Sequence, residues 1–199
     1  GRPTAIVHGA GINVLRPASM VDEVEAKREL SVKVGGLQNL LDATAGNELK
    51  LVVGLGSVIG VVGMPGNSWY GFANEAMDLT LRHHHARHPA TETATIAYSV
   101  WSEIGMGARM GSDKHLEAKG IGFIHPDIGV QRFIELIEKQ GFDHQTTVTS
   151  RLGTIGGNRL PSNARNVSID YAANVAAYQA GVEAVCRVHL NSTTHAFLL

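Results

Sequence analysis

Four side chains in this sequence are of types, and at spacings, that suit the polarisation and protonation of a carbonyl. Ser57 closes the apolar run LVVGLGS at 51–57, and Tyr70 and Asn74 follow in WYGFAN, four residues apart. On a helix that separation puts Tyr70 and Asn74 on one face. Lys33 lies upstream in SVKVGG. A serine hydroxyl can hold a carbonyl oxygen, and a phenol can donate the proton. A neighbouring ammonium favours phenolate and so lowers the tyrosine pKa, which makes the phenol a usable acid near neutral pH.

These residues need elements that bring them to one place. Residues 4–8 read as a buried strand, ended by Gly9-Ala10-Gly11. Apolar positions at helical spacing (Val24, Leu30, Val34, Leu37, Leu40, Leu41) predict a helix over 21–43 that carries Lys33. A second buried strand is expected at 51–55, then a Gly/Pro-rich loop and a helix over about 68–84. A third strand (93–100), two shorter helices (about 112–119 and 128–139) and a last strand (146–150) follow. Strand and helix alternate, which implies a three-layer α/β fold, a Rossmann-like parallel sheet with helices on both faces. Ser57 then falls at the carboxyl end of a strand, where open α/β sheets bind ligands.

The pair Gly54 and Gly56 also invites a phosphate-loop reading. The next glycine, Gly60, sits one residue too far for the G-x-G-x-x-G spacing. A helix should begin at once to offer its N–H groups to the pyrophosphate, and Gly63, Pro65 and Gly66 are expected to delay it. The catalytic reading of the stretch is preferred.

With 199 residues, 44% hydrophobic and 18% charged, the chain suits one compact domain or one domain plus a fragment of another. A net charge of −1 and the lack of a basic stripe argue against nucleic acid and anionic membranes. The apolar run from Leu51 to Val62 is too short to span a bilayer. The only cysteine, Cys186, excludes an internal disulfide; it reads as a small buried hydrophobe in a cytoplasmic protein. The start at Gly1, without Met, reads as a piece of a larger polypeptide.

Lys33, the Ser57 stretch and the Tyr70–Asn74 pair together resemble the ketoreductase domain of type I polyketide synthases, a branch of the short-chain dehydrogenases. Most short-chain dehydrogenases carry the Lys four residues after the Tyr and an Asn on the earlier helix. Here, as in polyketide ketoreductases, the two are exchanged. VHGAG at 7–11, KVGGLQNLL at 33–41, GMPGNSWYGFANEAMD at 63–78 and SVWSEIGMG at 99–107 extend the resemblance over about 4–150.

The resemblance implies NADPH-dependent reduction of a β-ketoacyl chain held by the phosphopantetheine of an acyl carrier protein. Tyr70 would protonate the nascent alkoxide, and Ser57 would hold the carbonyl oxygen. Lys33 would tune Tyr70 and bind the nicotinamide ribose, with Asn74 anchoring the polar relay behind them. Gly9, Ala10, Gly11, Lys33, Tyr70 and Trp101 would contact the cofactor, with Trp101 and Met106 forming a lid edge. Other domains of the same synthase would be partners, and a homodimer would form through the parent synthase.

GVEAVCRVHLNSTTHAFLL at 181–199 looks like the opening of a dehydratase domain. The expected organisation is therefore a ketoreductase part (1–150), a linker (151–167) and a dehydratase-like beginning (168–199). By the same resemblance the first strand, the Gly-rich turn and the residues that choose NADP over NAD belong ahead of Gly1. The segment alone is thus expected to bind NADPH too weakly for turnover. Two markers of product stereochemistry are absent: Ile12-Asn13-Val14 stands where Leu-Asp-Asp would fall, and Val62 replaces a Trp.

Each residue has a plainer reading. Ser57 can be a turn residue, Tyr70 an amphipathic helix residue, Lys33 a solvated one, and Asn74 a local hydrogen-bonding partner. Trp101 and Met106 can be loop packing. The run His83-His84-His85-Ala86-Arg87-His88 suggests a metal because His84 and His88 share a face, yet no carboxylate or Cys completes a ligand set nearby, so no metal is expected. The rival function is a non-catalytic piece that scaffolds neighbouring synthase domains.

Overall fold

The computed structural model describes residues 2–106, 113–118, 120–138 and 144–151. Four strands, β1 (Ala5–His8), β2 (Leu51–Ser57), β3 (Glu92–Tyr98) and β4 (Gln145–Val148), form one parallel sheet in the order β1-β2-β3-β4. Ala5 pairs with Leu51, Leu51 with Glu92, and Thr95 with Gln145. This register brings the ends of β1, β2 and β3 to the same rim.

The first crossover carries α1 (Glu23–Leu30), a π-helical turn (Ser31–Gly35) and α2 (Gly36–Ala43). Asp22 caps α1 by accepting from Glu25 N–H at 2.8 Å, and Glu23 and Glu25 add negative charge where the helix dipole favours it. The helix expected over 21–43 is therefore present, interrupted at Lys33 by a wider turn. The second crossover carries α3 (Val58–Val62) and α4 (Ser68–Arg87), and the third α5 (Asp113–Ala118) and α6 (Pro126–Glu138).

Helices cover both faces. On one, Leu37, Leu41, Met77 and Leu81 pack against Ile6 and Val52. On the other, Phe133, Leu136 and Ile137 of α6 pack against Val53, Ile96, Tyr98 and Val148. Three layers with a parallel sheet between them match the expected α/β, Rossmann-like fold. Among the described residues no helix is long and apolar enough to cross a membrane. The linker beyond Arg151 and the dehydratase-like beginning, with Cys186, lie outside the described residues.

One expectation is overturned. The loop after Ser57 does not delay a helix: α3 begins at Val58, and the Ser57 hydroxyl accepts from Ile59 N–H at 3.2 Å as its cap. Gly63, at φ 71°, ends this single turn. The phosphate-loop reading fails on packing instead. A Cβ on Gly54 would lie 2.8 Å from Met77 Cε and 2.9 Å from Leu81 Cδ1. One on Gly56 would lie 3.0 Å from Thr95 Cγ2. Gly54 lets α4 sit close on β2, and Gly56 packs against Thr95.

Candidate functional site

At the carboxyl rim of the sheet lies a cavity of about 460 Å³. Gly9, Lys33, Ser57, Tyr70 and Trp101 line it. Ala10, Gly11 and Asn74 do not contribute to its wall. Its remaining wall is largely apolar, with Leu15, Met64, Val100, Ile104 and Met106 around the mouth.

Lys33 is 3% exposed, which rules out the solvated reading. Its Nζ donates to the carbonyl of Leu55 at 2.9 Å, two residues before Ser57. Burial lowers its pKa from 10.5 to about 8, so the group is still mainly an ammonium at neutral pH. Gly11 makes room for it: a Cβ there would lie 3.0 Å from Lys33 Cε and 3.2 Å from Nζ. Gly11 thus shapes the site behind the cavity wall.

Tyr70 and Asn74 are both buried on the inner face of α4. Burial raises the Tyr70 pKa, while the neighbouring Ser57 and Asn74 side chains act in the opposite direction. The expectation that Lys33 lowers it is not met: the ammonium is directed to Leu55, and burial dominates at the phenol. Tyr70 is therefore held in its protonated form. Asn74 Nδ2 donates to the Tyr70 backbone carbonyl at 2.7 Å, the local hydrogen bond of its plainer reading. Its Oδ1 is buried without a hydrogen-bond partner among the described residues.

Trp101 is half-buried. Its ring packs edge-on against Tyr98, with centroids 5.0 Å apart, and lies over Gly129 of α6. The Tyr98 hydroxyl donates to the Gly129 carbonyl at 3.1 Å. Trp101 is thus both a cavity wall and a packed loop residue. Across the mouth, Asn13 Nδ2 donates to Asn67 Oδ1 at 2.9 Å and Arg16 N–H to the Gly66 carbonyl at 2.9 Å. These bonds clasp the loop after β1 to the loop ahead of α4.

Sequence reasoning passed over His8. It lies on the buried face of β1, 3% exposed, and its Nε2 is 2.8 Å from the Lys33 carbonyl. A carbonyl can only accept, so Nε2 carries the proton. The available signal was a histidine alternating with Ile6 on the inward face of a short apolar strand.

The histidine run ends α4 at the opposite rim. His84 and His88 stack with centroids 4.5 Å apart, and both border a second cavity of about 410 Å³ with Asp42 and Asn47. Burial lowers the His84 pKa, and the surrounding cationic groups add to the effect. No group of three metal-ligating side chains occurs among the described residues.

A family model described as KR domain matches residues 3–103. Erythronolide synthase EryA3 of Saccharopolyspora erythraea is 30% identical over 128 residues, 64% of this chain and 4% of that protein. Phthioceranic/hydroxyphthioceranic acid synthase of Mycobacterium tuberculosis (strain ATCC 25618 / H37Rv) is 33% identical over 125 residues, 60% of this chain and 6% of that protein. The chain therefore spans only a small part of these relatives. Among solved structures, an A1-type ketoreductase superposes with a TM-score of 0.66 at 22% identity, over 73% of this chain and 30% of that one. A ketoreductase domain from the bacillaene assembly line superposes with a TM-score of 0.65 at 24% identity, over 75% and 36% of the two chains. The two superpositions speak for the fold.

Proposed function

The chain belongs to the KR domain family, the ketoreductase branch of the short-chain dehydrogenase oxidoreductases, and on that premise we propose that it reduces a β-ketoacyl thioester. The acyl chain would be carried on the phosphopantetheine of an acyl carrier protein within a cytoplasmic polyketide synthase. Neighbouring domains of that synthase would be its partners, and the parent synthase would supply any homodimer contact. The observation that carries this reading is the convergence of Lys33, Ser57 and Tyr70 on one largely apolar cavity.

The residues present fit a nicotinamide ring. The lining combines apolar Val100, Trp101 and Ile104 with polar Lys33, Ser57 and Tyr70. Ser99 Oγ, also in the wall, is buried without a hydrogen-bond partner among the described residues. When bound, NADPH supplies the hydride that reaches the substrate's carbonyl carbon. Tyr70, kept protonated by burial, donates its proton to the carbonyl oxygen as negative charge develops there. Ser57 orients that oxygen from the end of β2. Lys33 brings positive charge to the cavity and serves the ribose, while Asn74 fixes the turn of α4 that carries the phenol.

Single-turnover reduction of a β-ketoacyl thioester by the full-length polypeptide, with NADPH oxidation followed by absorbance, tests this reading. Turnover with NADPH and its loss in Tyr70→Phe are expected. Turnover at the parent's rate by both the Tyr70→Phe and the Ser57→Ala variants would overturn it.

A further inference from the structure

The π-helical turn at Ser31–Gly35 is the one break in an otherwise regular crossover helix, and Lys33 sits at its centre. Such turns displace carbonyls from the helical ladder and occur often at functional sites. Here the carbonyl of Lys33, inside the turn, has a partner from outside the helix, the imidazole of His8 at 2.8 Å. The approach depends on Gly36, where a Cβ would lie 3.2 Å from His8 Cε1. Burial lowers the His8 pKa, which suits a neutral ring donating from Nε2. Lys33 is thus gripped at both ends. Its carbonyl is held by β1 through His8, and its Nζ is held by β2 through the Leu55 carbonyl.

We propose that His8 is a positioning residue for ketoreduction, acting through the Lys33 backbone to hold the π turn and aim the ammonium at the cavity. The proposal rests on the catalytic reading of Lys33 given above. Without the imidazole N–H, the turn loses the outside donor that satisfies its central carbonyl. The helix is then free to relax toward regular α geometry, which rotates Lys33 away from Leu55. A misplacement of about 1 Å in such a group can cost about 100-fold in rate.

The test uses the full-length polypeptide and measures kcat, the KM for NADPH and the melting temperature. His8→Phe keeps the ring volume and removes the donor. It should lower kcat by roughly 10- to 100-fold and raise the KM for NADPH while the protein stays folded. His8→Gln, whose amide nitrogen reaches about as far as Nε2, should recover most of the activity. Combined with Lys33→Met, His8→Phe should add little further loss, because both changes act on one group. Full activity in His8→Phe, or a failure of Gln to restore it, would overturn the proposal while leaving the function of the site intact. If Lys33→Met alone proves silent, the catalytic reading of Lys33 falls first and the role of His8 with it.

Discussion

Lys33 Nζ lies 2.9 Å from the carbonyl oxygen of Leu55, so the ammonium is tied to the strand that ends in Ser57. The bond fixes where positive charge enters the cavity. It also helps explain why a nearly buried lysine is tolerated: one of its three donors is satisfied by backbone, and the residue lines the cavity.

Burial of Lys33 has a thermodynamic signature. Its folded pKa of about 8 lies below the ordinary 10.5. Between these values the unfolded chain binds more protons than the folded one, so stability rises with pH across that window. Below about pH 8 the buried charge costs on the order of 3 kcal/mol relative to a lysine without the shift. Lys33→Met should therefore be more stable than the parent at pH 7, and its advantage should shrink between pH 8 and 10.5. Melting temperatures of both proteins across that range check it. A difference that stays constant with pH would mean that Lys33 is solvated.

Tyr70→Phe should reduce kcat by at least about 100-fold, the range in which a positioned general acid contributes. The change deletes one hydroxyl and keeps the buried ring, so the melting temperature and NADPH affinity should change little. Rapid-mixing kinetics on a β-ketoacyl thioester, with NADPH binding measured by calorimetry, give the two readings separately. A variant that retains most of its rate would remove Tyr70 from the chemistry.

The candidate site could be read in the sequence only where it depended on side-chain type and spacing. Ser57, Tyr70 and Lys33 were legible because a strand end and a helix face bring them to one rim, and the alternation of apolar runs gave both elements. The π turn was not legible, since Leu30, Val34, Leu37 and Leu41 keep a helical rhythm straight through it. Helix α3 was hidden for the opposite reason. Its surroundings, with Gly60, Gly63, Pro65 and Gly66, have loop composition, and the turn is held by the Ser57 cap and by close contact with α4. A Cβ on Gly60 would lie 3.0 Å from Asn74 Cβ. His8 was missed because its partner is a backbone carbonyl, which has no sequence signature.

Gly54→Ala separates the packing role of the glycine pair from a phosphate-binding one. The added methyl would meet Met77 and Leu81, which are 0% and 1% exposed, at 2.8 and 2.9 Å. Overpacking of this kind costs about 1–3 kcal/mol. Chemical denaturation should show that loss, while the KM for NADPH in the folded fraction stays within about twofold of the parent, a difference under 0.5 kcal/mol. A large rise in that KM without a loss of stability would return the loop to the cofactor.

Gly129→Ala probes the wall of the cavity from behind. The new Cβ would stand 2.5 Å from Trp101 Cη2 and 2.7 Å from Cζ2, so the indole cannot keep its place. Helix α6 blocks one side, and the open direction is the cavity that Trp101 lines. The variant should lose about 1–3 kcal/mol of stability through overpacking and show a raised KM for NADPH. Within these 199 residues Trp69 is the other tryptophan, so the difference in emission between a protein with Trp101 and its Trp101→Phe variant reports on Trp101. A shifted emission maximum in Gly129→Ala, with stability recovered by adding Trp101→Phe, is the expected pair of results. Unchanged emission together with an unchanged KM would show that Trp101 is not held by Gly129 and does not shape the site.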